Sequence, residues 1–245
     1  MRLKITCMRC QQEFGKPSND FDRFEFRDDG RYERTCSVGH TTTTILQQQK
    51  FEVLFEIGAY AILDGYYRDA VLSFSTSLER FYEFAIRVFL ESISKSDKLF
   101  QDCWKKVASQ SERQLGAFIF LWAHHFNEQP ELPSKSQIGI RNGVVHKGKI
   151  PTREEAVKYG DAALTDLRPM LAALRCRFPE EVIKVTLYHL IDRSTDLDIG
   201  RTVSTMGITT IVNRASFETD QQTKSLSEHL VRLANWRLLA DSSDG

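Results

Sequence analysis

Residues 69–92, DAVLSFSTSLERFYEFAIRVFLES, decide the architecture of this chain. Val71, Phe74, Leu78, Phe81, Ala85, Val88 and Ser92 follow one another at steps of three and four, and Tyr82 and Phe89 widen the stripe. That period belongs to an α-helix, and the width of the stripe means that a whole face is buried against neighbouring elements. An aromatic stripe of this kind is core rather than a cofactor surface. A helix this long needs partners, and the flanking sequence supplies them.

Upstream, the pattern turns helical near residue 47, with Phe51, Phe55, Gly58 and Ile62 on one face and Gly65 as the stop. Downstream, residues 111–127 form a third helix around Leu115, Phe118, Ile119 and Trp122, and 129–133 make a Pro-containing loop. A short helix follows over 138–147, closed by Gly148. Thr152-Arg153-Glu154-Glu155 is a capping box that opens a helix to about residue 176. Residues 46–178 therefore read as an all-α bundle with short loops.

Both ends read differently. Beyond Pro179, Ile183, Val185 and Leu187 alternate with Lys184, Thr186 and Tyr188, a strand pattern over 182–191, and 202–212 suits a second strand. Ser225-Leu226-Ser227-Glu228 then opens a helix carrying Leu226, Leu230 and Leu233. At the N-terminus, Phe24-Glu25-Phe26 and Arg31-Tyr32-Glu33 flank Asp28-Asp29-Gly30, which predicts a hairpin. The expected fold is mainly α, in three parts: a small β module over 1–45, the helical domain over 46–178, and a strand-strand-helix α/β extension over 179–245.

The β module is too small to fold on apolar burial alone. Its cysteines supply the missing staple. Cys7-Met8-Arg9-Cys10 is a C-x2-C pair and Cys36-Ser37-Val38-Gly39-His40 a C-x3-H pair. Thiolate and imidazole bind Zn²⁺ tetrahedrally, and four protein ligands close the site, so a structural zinc on Cys7, Cys10, Cys36 and His40 is expected. Two such pairs on either side of a hairpin resemble a zinc ribbon. Cys103 and Cys176 fall in helical stretches and read as core thiols.

Formal net charge is zero, which argues against a generally basic nucleic-acid binder but leaves room for a local site. Basic clusters lie at Lys105-Lys106, over 141–149, and at Arg175 and Arg177. No apolar run reaches the ~18 residues of a membrane span, and Met1-Arg2-Leu3-Lys4 leads directly into the cysteine pair; no membrane association and a cytoplasmic location are the expectation. There is no glycine-rich phosphate loop, nucleophile elbow or H-E-x-x-H segment.

The most distinctive stretch is Arg141-Asn142-Gly143-Val144-Val145-His146. An arginine, a polar residue and a histidine after four intervening positions, set among long amphipathic helices, resemble the motif of the HEPN superfamily. The resemblance covers roughly residues 46–178, with only the motif matching closely. It implies a dimer in which two Arg–His sets face one cleft, and metal-independent RNA cleavage by attack of the ribose 2′-OH on the adjacent phosphate. His146 would then serve as general base or acid, imidazole being the side chain that exchanges protons near neutrality. Arg141 would hold the phosphate with its fork of donors, and Asn142 would orient either. Glu79, on the long helix, is a candidate acidic partner behind them. Some toxin members carry a tyrosine two residues after the histidine; here that position is Gly148.

Helix geometry sets a condition on this reading. A five-residue step turns about 140°, so Arg141 and His146 do not share a face, whereas Asn142 and His146 do. Convergence requires an irregularity near Gly143 or the full reach of the arginine. The resemblance implies an endoribonuclease, such as a toxin or antiviral-defence effector, with RNA and a regulatory protein as partners. The alternatives are a non-catalytic nucleic-acid-binding or scaffold protein, and an antitoxin-like subunit; for the two residues themselves, the alternative is that Arg141 pairs with a carboxylate and His146 caps its helix.

Overall fold

The computed structural model describes residues 2–16, 20–197, 202–215 and 223–242. The described chain is mainly helical with a small strand content, and it divides into two compact units. One consists of residues 50–185 and 210–245, the other of residues 1–49 and 186–209.

The first unit is a helical bundle. Its elements are α2 (Lys50–Leu63), α3 (Tyr67–Ser94), α4 (Asp97–Val107), α5 (Ser111–Phe126), α6 (Lys135–His146), α7 (Arg153–Arg177), the start of α8 (Pro179–Ser194), and α9 (Leu226–Ser242). Helix α3 is the hub: it packs against α2, α4, α5, α6 and α7, while α9 lies on α2 and α7. The stripe that predicted α3 is its core face, and Val71, Phe74, Phe81, Ala85, Val88 and Phe89 are fully buried. Phe51 and Phe55 from α2 and Phe118 from α5 complete the aromatic centre, with Phe55 and Phe74 at 4.8 Å and Tyr82 stacked on Phe118 at 4.6 Å. Phe74 is gripped between two glycines. A Cβ on Gly58 of α2 would fall 2.6 Å from its ring, and one on Gly160 of α7 would fall 2.5 Å from the opposite edge. Only glycine permits α2, α3 and α7 to approach this closely.

Two caps place α6. Ser134 and Gln137 form a reciprocal capping box, which starts the helix at Lys135, three residues before the apolar pattern alone indicates. Gln137 Nε2 then donates to Asp166 Oδ2 of α7 at 2.7 Å, and Val144 is fully buried, so α6 is held from both sides. Gly148, at φ +65°, ends the turn. Thr152 and Glu155 form the box expected for α7. Helix α4, which the sequence indicated only as a helical stretch around Cys103, is bounded at Asp97–Val107. Its Ser96 cap receives Leu99 N–H, and Phe100 and Trp104 stack on one side at 5.5 Å.

The 182–191 strand is corrected to helix: α8 spans Pro179–Ser194. Proline at the first helical position and Glu180 and Glu181 in the first turn favour a helix start. Val182, Val185 and His189 are buried at a helical spacing, whereas Ile183, Leu187 and Ile191, four apart, are exposed. Ile183 and Leu187 satisfy both periods, and the window was too short to separate them. The C-terminal strand-strand-helix is thus helix, strand and helix, with the strand β5 confined to Thr202–Met206.

The second unit carries the strands. β1 (Leu3–Thr6) is followed by α1 (Met8–Phe14), β2 (Phe21–Phe24), β3 (Arg31–Thr35) and β4 (Thr41–Leu46). The turn at Asp28-Asp29 exists, with Gly30 at φ +58°, but it does not close a hairpin between its two flanks. β2 pairs antiparallel with β1, β3 pairs antiparallel with β4, and β5 adds parallel to β4. The Cys7-Cys10 and Cys36-His40 pairs are therefore separated by strands of two different sheets rather than by one hairpin. A Cβ on Gly30 would collide with the Arg193 guanidinium, which donates to Asp28 O at 3.3 Å; glycine here serves both the positive φ and the close approach.

Candidate functional site

In the strand-bearing unit, Cys7, Cys10, Cys36 and His40 converge, their donor atoms all within 4.8 Å of one another. Cys7 stands at the N-cap of α1 and Cys10 is in its first turn. The 36–40 turn is closed by Cys36 N–H to His40 O at 3.0 Å and Gly39 N–H to Cys36 O at 2.9 Å, with Gly39 at φ +91°. Arg34, almost wholly buried, bridges Asp20 at 3.2 Å and Asp22 at 2.9 Å, and Asp20 accepts Ser37 N–H at 2.7 Å, bracing this turn against the first sheet.

The donor set fits a metal ion. A tetrahedral site with ~2.3 Å metal–sulfur bonds sets its sulfurs about 3.8 Å apart. Cys10 Sγ and Cys36 Sγ are 3.7 Å apart, and His40 Nδ1 lies 3.4 Å from Cys10 Sγ and 3.9 Å from Cys7 Sγ. All three cysteines are buried. Burial and the neighbouring thiols push Cys10 up to about 12, so a thiolate here calls for a cation beside it. The imidazole is oriented for the task, since its Nε2 meets Glu13 Oε2 at 3.1 Å and leaves Nδ1 to face the sulfurs. The Arg9 guanidinium, donating to Glu13, holds that carboxyl below the usual range. Glu13 was not singled out in the sequence. It lies three residues beyond Cys10, on the helix α1 that the β-rich reading of this segment missed. The quartet could hold a metal ion and is compatible with zinc. Cys103 and Cys176, expected in the core, are exposed and stand apart from it.

In the helical unit, Arg141, Asn142, His146 and Glu79 come together. The Arg141 guanidinium is their meeting point: Nη1 donates to Asn142 Oδ1 at 3.2 Å and reaches His146 Nε2 at 3.4 Å, and Nη2 reaches Glu79 Oε1 of α3 at 3.4 Å. Helix α6 continues unbroken through Gly143. The reach of the arginine, not a distortion, overcomes the 140° separation, and His146, as the last residue of α6, is free to turn towards it. The histidine contact is a donation from arginine in the tautomer that carries its proton on Nδ1. Glu79 holds one arm of the Arg141 fork, while His146 is exposed to solvent.

Two tyrosines behind the arginine were not recognised as part of the site. Tyr159 of α7 is buried, hydrogen-bonded to Ser75 and within electrostatic reach of Arg141 and Glu79; burial raises its phenol above the usual range. Tyr82 had been read simply as a widening of the α3 stripe. Beside them a cavity of about 360 Å³ opens, lined among others by Leu78, Tyr82, Leu115, Ile138, Arg141 and Asn142. No described helix is long and apolar enough to cross a membrane. No family model, curated protein or solved structure matches this chain.

Proposed function

We propose that the helical unit is a HEPN-type domain and that the chain is a metal-independent endoribonuclease working as a homodimer. The observation that carries this reading is the convergence of Arg141, Asn142 and His146 on one partly exposed spot, with Glu79 behind them. An arginine beside an exposed imidazole is the pairing that phosphodiester transfer needs: a cation for the phosphate and a proton carrier for the reacting oxygens.

His146 takes the proton from a ribose 2′-OH. The 2′-oxygen attacks the adjacent phosphorus, and Arg141 stabilises the charge that builds on the non-bridging oxygens. The P–O5′ bond then breaks, and an imidazole from the second copy returns a proton to the leaving oxygen. The products are a 2′,3′-cyclic phosphate and a 5′-hydroxyl. Asn142 steers Arg141, since its Oδ1 accepts from the guanidinium. Cys7, Cys10, Cys36 and His40 hold a structural zinc in a zinc-ribbon-like module, which supplies folding energy and takes no part in the reaction. A toxin or antiviral-defence effector of the cytoplasm, restrained by a partner protein, is the biological setting this reading fits.

The test is cleavage of a mixed-sequence RNA by purified protein in buffer freed of magnesium and other exchangeable divalent ions. Arg141→Ala and His146→Ala should each lower the rate by ~10²-fold or more, the range typical of lost charge stabilisation or general acid–base catalysis. Asn142→Ala should cost less. Cleavage retained by both variants overturns the assignment.

A further inference from the structure

The cavity next to Arg141 has no role in the phosphate chemistry itself. At about 360 Å³ it lies at the small end of the range of ligand pockets. Its walls are mostly apolar, with Leu78, Leu115, Pro133 and Ile138 among them, and Arg141 and Asn142 lie on its lining as well. A phosphate held by Arg141 therefore has a mostly apolar recess at its side. Tyr82 adds the polar feature. Its ring is pinned against Phe118 and only 5% of the residue is exposed, yet its hydroxyl has no hydrogen-bond partner among the described residues. Most buried hydroxyls are satisfied, so an unpartnered one on a residue of the cavity wall points to a ligand atom. Burial also raises the phenol well above its usual range, which keeps it a neutral donor.

We infer that this cavity receives a nucleobase flanking the phosphate bound by Arg141, with the Tyr82 hydroxyl donating to a carbonyl oxygen or ring nitrogen of that base. The inference rests on the ribonuclease reading for the phosphate and adds a base preference to it. A nucleobase suits the site because it is planar, largely apolar on its faces and rich in acceptors at its edge. Linkage to a phosphate places it beside an arginine by covalent necessity.

The four nucleoside 3′-monophosphates and ribose 5-phosphate, titrated calorimetrically into the full-length protein, test this. At least one nucleotide should bind about tenfold more tightly than ribose 5-phosphate. Tyr82→Phe, which retains the ring packing, should remove roughly five- to tenfold of that advantage, the size of one hydrogen bond. Ile138→Trp, at a half-exposed position on the cavity wall, should bring all four nucleotides to the level of the sugar phosphate. Arg141→Ala should weaken sugar phosphate and nucleotides alike. The inference is overturned if no nucleotide outbinds ribose 5-phosphate, or if the advantage survives both cavity variants. It is also overturned if Ile138→Trp chiefly shifts the oligomeric state in sedimentation, which would make the recess a seat for a second copy. RNA cleavage assayed on the same samples separates the two claims. Base-selective binding without cleavage sinks the ribonuclease reading alone, and base-blind binding with cleavage sinks the cavity assignment alone.

Discussion

Gly160→Ala exposes the packing on which the site depends. In an open helix this change stabilises by about 1 kcal/mol, because alanine loses less backbone freedom on folding. At Gly160 the new methyl would lie 2.5 Å from Phe74 Cε2 and 2.6 Å from Leu226 Cδ2, against 3.4–4 Å for ordinary contact. The ring cannot retreat, because its other edge already abuts Gly58 at a spacing that leaves no room for a Cβ, and Phe55 faces it at 4.8 Å. Overpacking in a closed core costs about 1–3 kcal/mol. Set against the propensity gain, the expected net is a loss of up to about 2 kcal/mol in urea unfolding. Gly116→Ala, whose Cβ would meet nothing within 4 Å, is the control and should stabilise by roughly 0.5–1 kcal/mol. Phe74→Leu should offset part of the Gly160→Ala penalty, giving a favourable coupling of about 1 kcal/mol in the double-mutant cycle. Gly160 follows Tyr159, which sits behind Arg141, so the same variant should lower RNA cleavage as well. A Gly160→Ala protein as stable as its Gly116→Ala counterpart would refute the close approach of α2, α3 and α7.

Other consequences are more local. Glu56, buried under the Ile211 N–H that donates to it at 2.9 Å, is pushed up to about 7 by desolvation. Its folded pKa thus exceeds its unfolded one, so its contribution is fully present below about pH 4.5 and is lost as pH rises to 7. Urea unfolding of wild type and Glu56→Gln should therefore diverge, the variant being more stable by about 2–3 kcal/mol at pH 8 and close to wild type at pH 5. A strong chelator should release one zinc per chain and abolish amide-exchange protection in β1–β4, with the cores of α3 and α7 still protected; protection unchanged in all of them would dismiss the quartet as a structural centre. Ser134→Ala breaks the capping box of α6 and should cost about 1 kcal/mol, read as faster exchange in the first turn of that helix.

Where the sequence was readable, one local rule sufficed. The stripe from Val71 to Phe89 has a single period over five turns, and Thr152–Glu155 and Ser225–Glu228 carry their own caps. The convergence of Cys7, Cys10, Cys36 and His40 was readable because residue type and short spacing within each pair indicate it independently of what lies between. What was missed depended on distant partners. The Asp28-Asp29-Gly30 turn is visible in sequence, but the pairing of its flanks is not, because β1 takes one flank and β4 the other, and β4 is itself held by β5 about 160 residues later, with Ser204 meeting Thr44. The 183–191 segment satisfied two periods at once. At the Arg–His site, the residue types were apparent but their convergence was not, since it depends on a side chain's reach. Tyr82 and Tyr159 were hidden because a buried tyrosine in a helix stripe looks like core until the position of its hydroxyl is known.

The chemistry of the RNA ends tests the central claim most directly. A short RNA incubated with zinc-loaded protein in magnesium-free buffer should yield fragments ending in 2′,3′-cyclic phosphate and beginning with 5′-hydroxyl by mass spectrometry, and neither Arg141→Ala nor His146→Ala should produce them. Fragments with 5′-phosphate ends, a requirement for added divalent metal, or unchanged products from either variant would contradict the account.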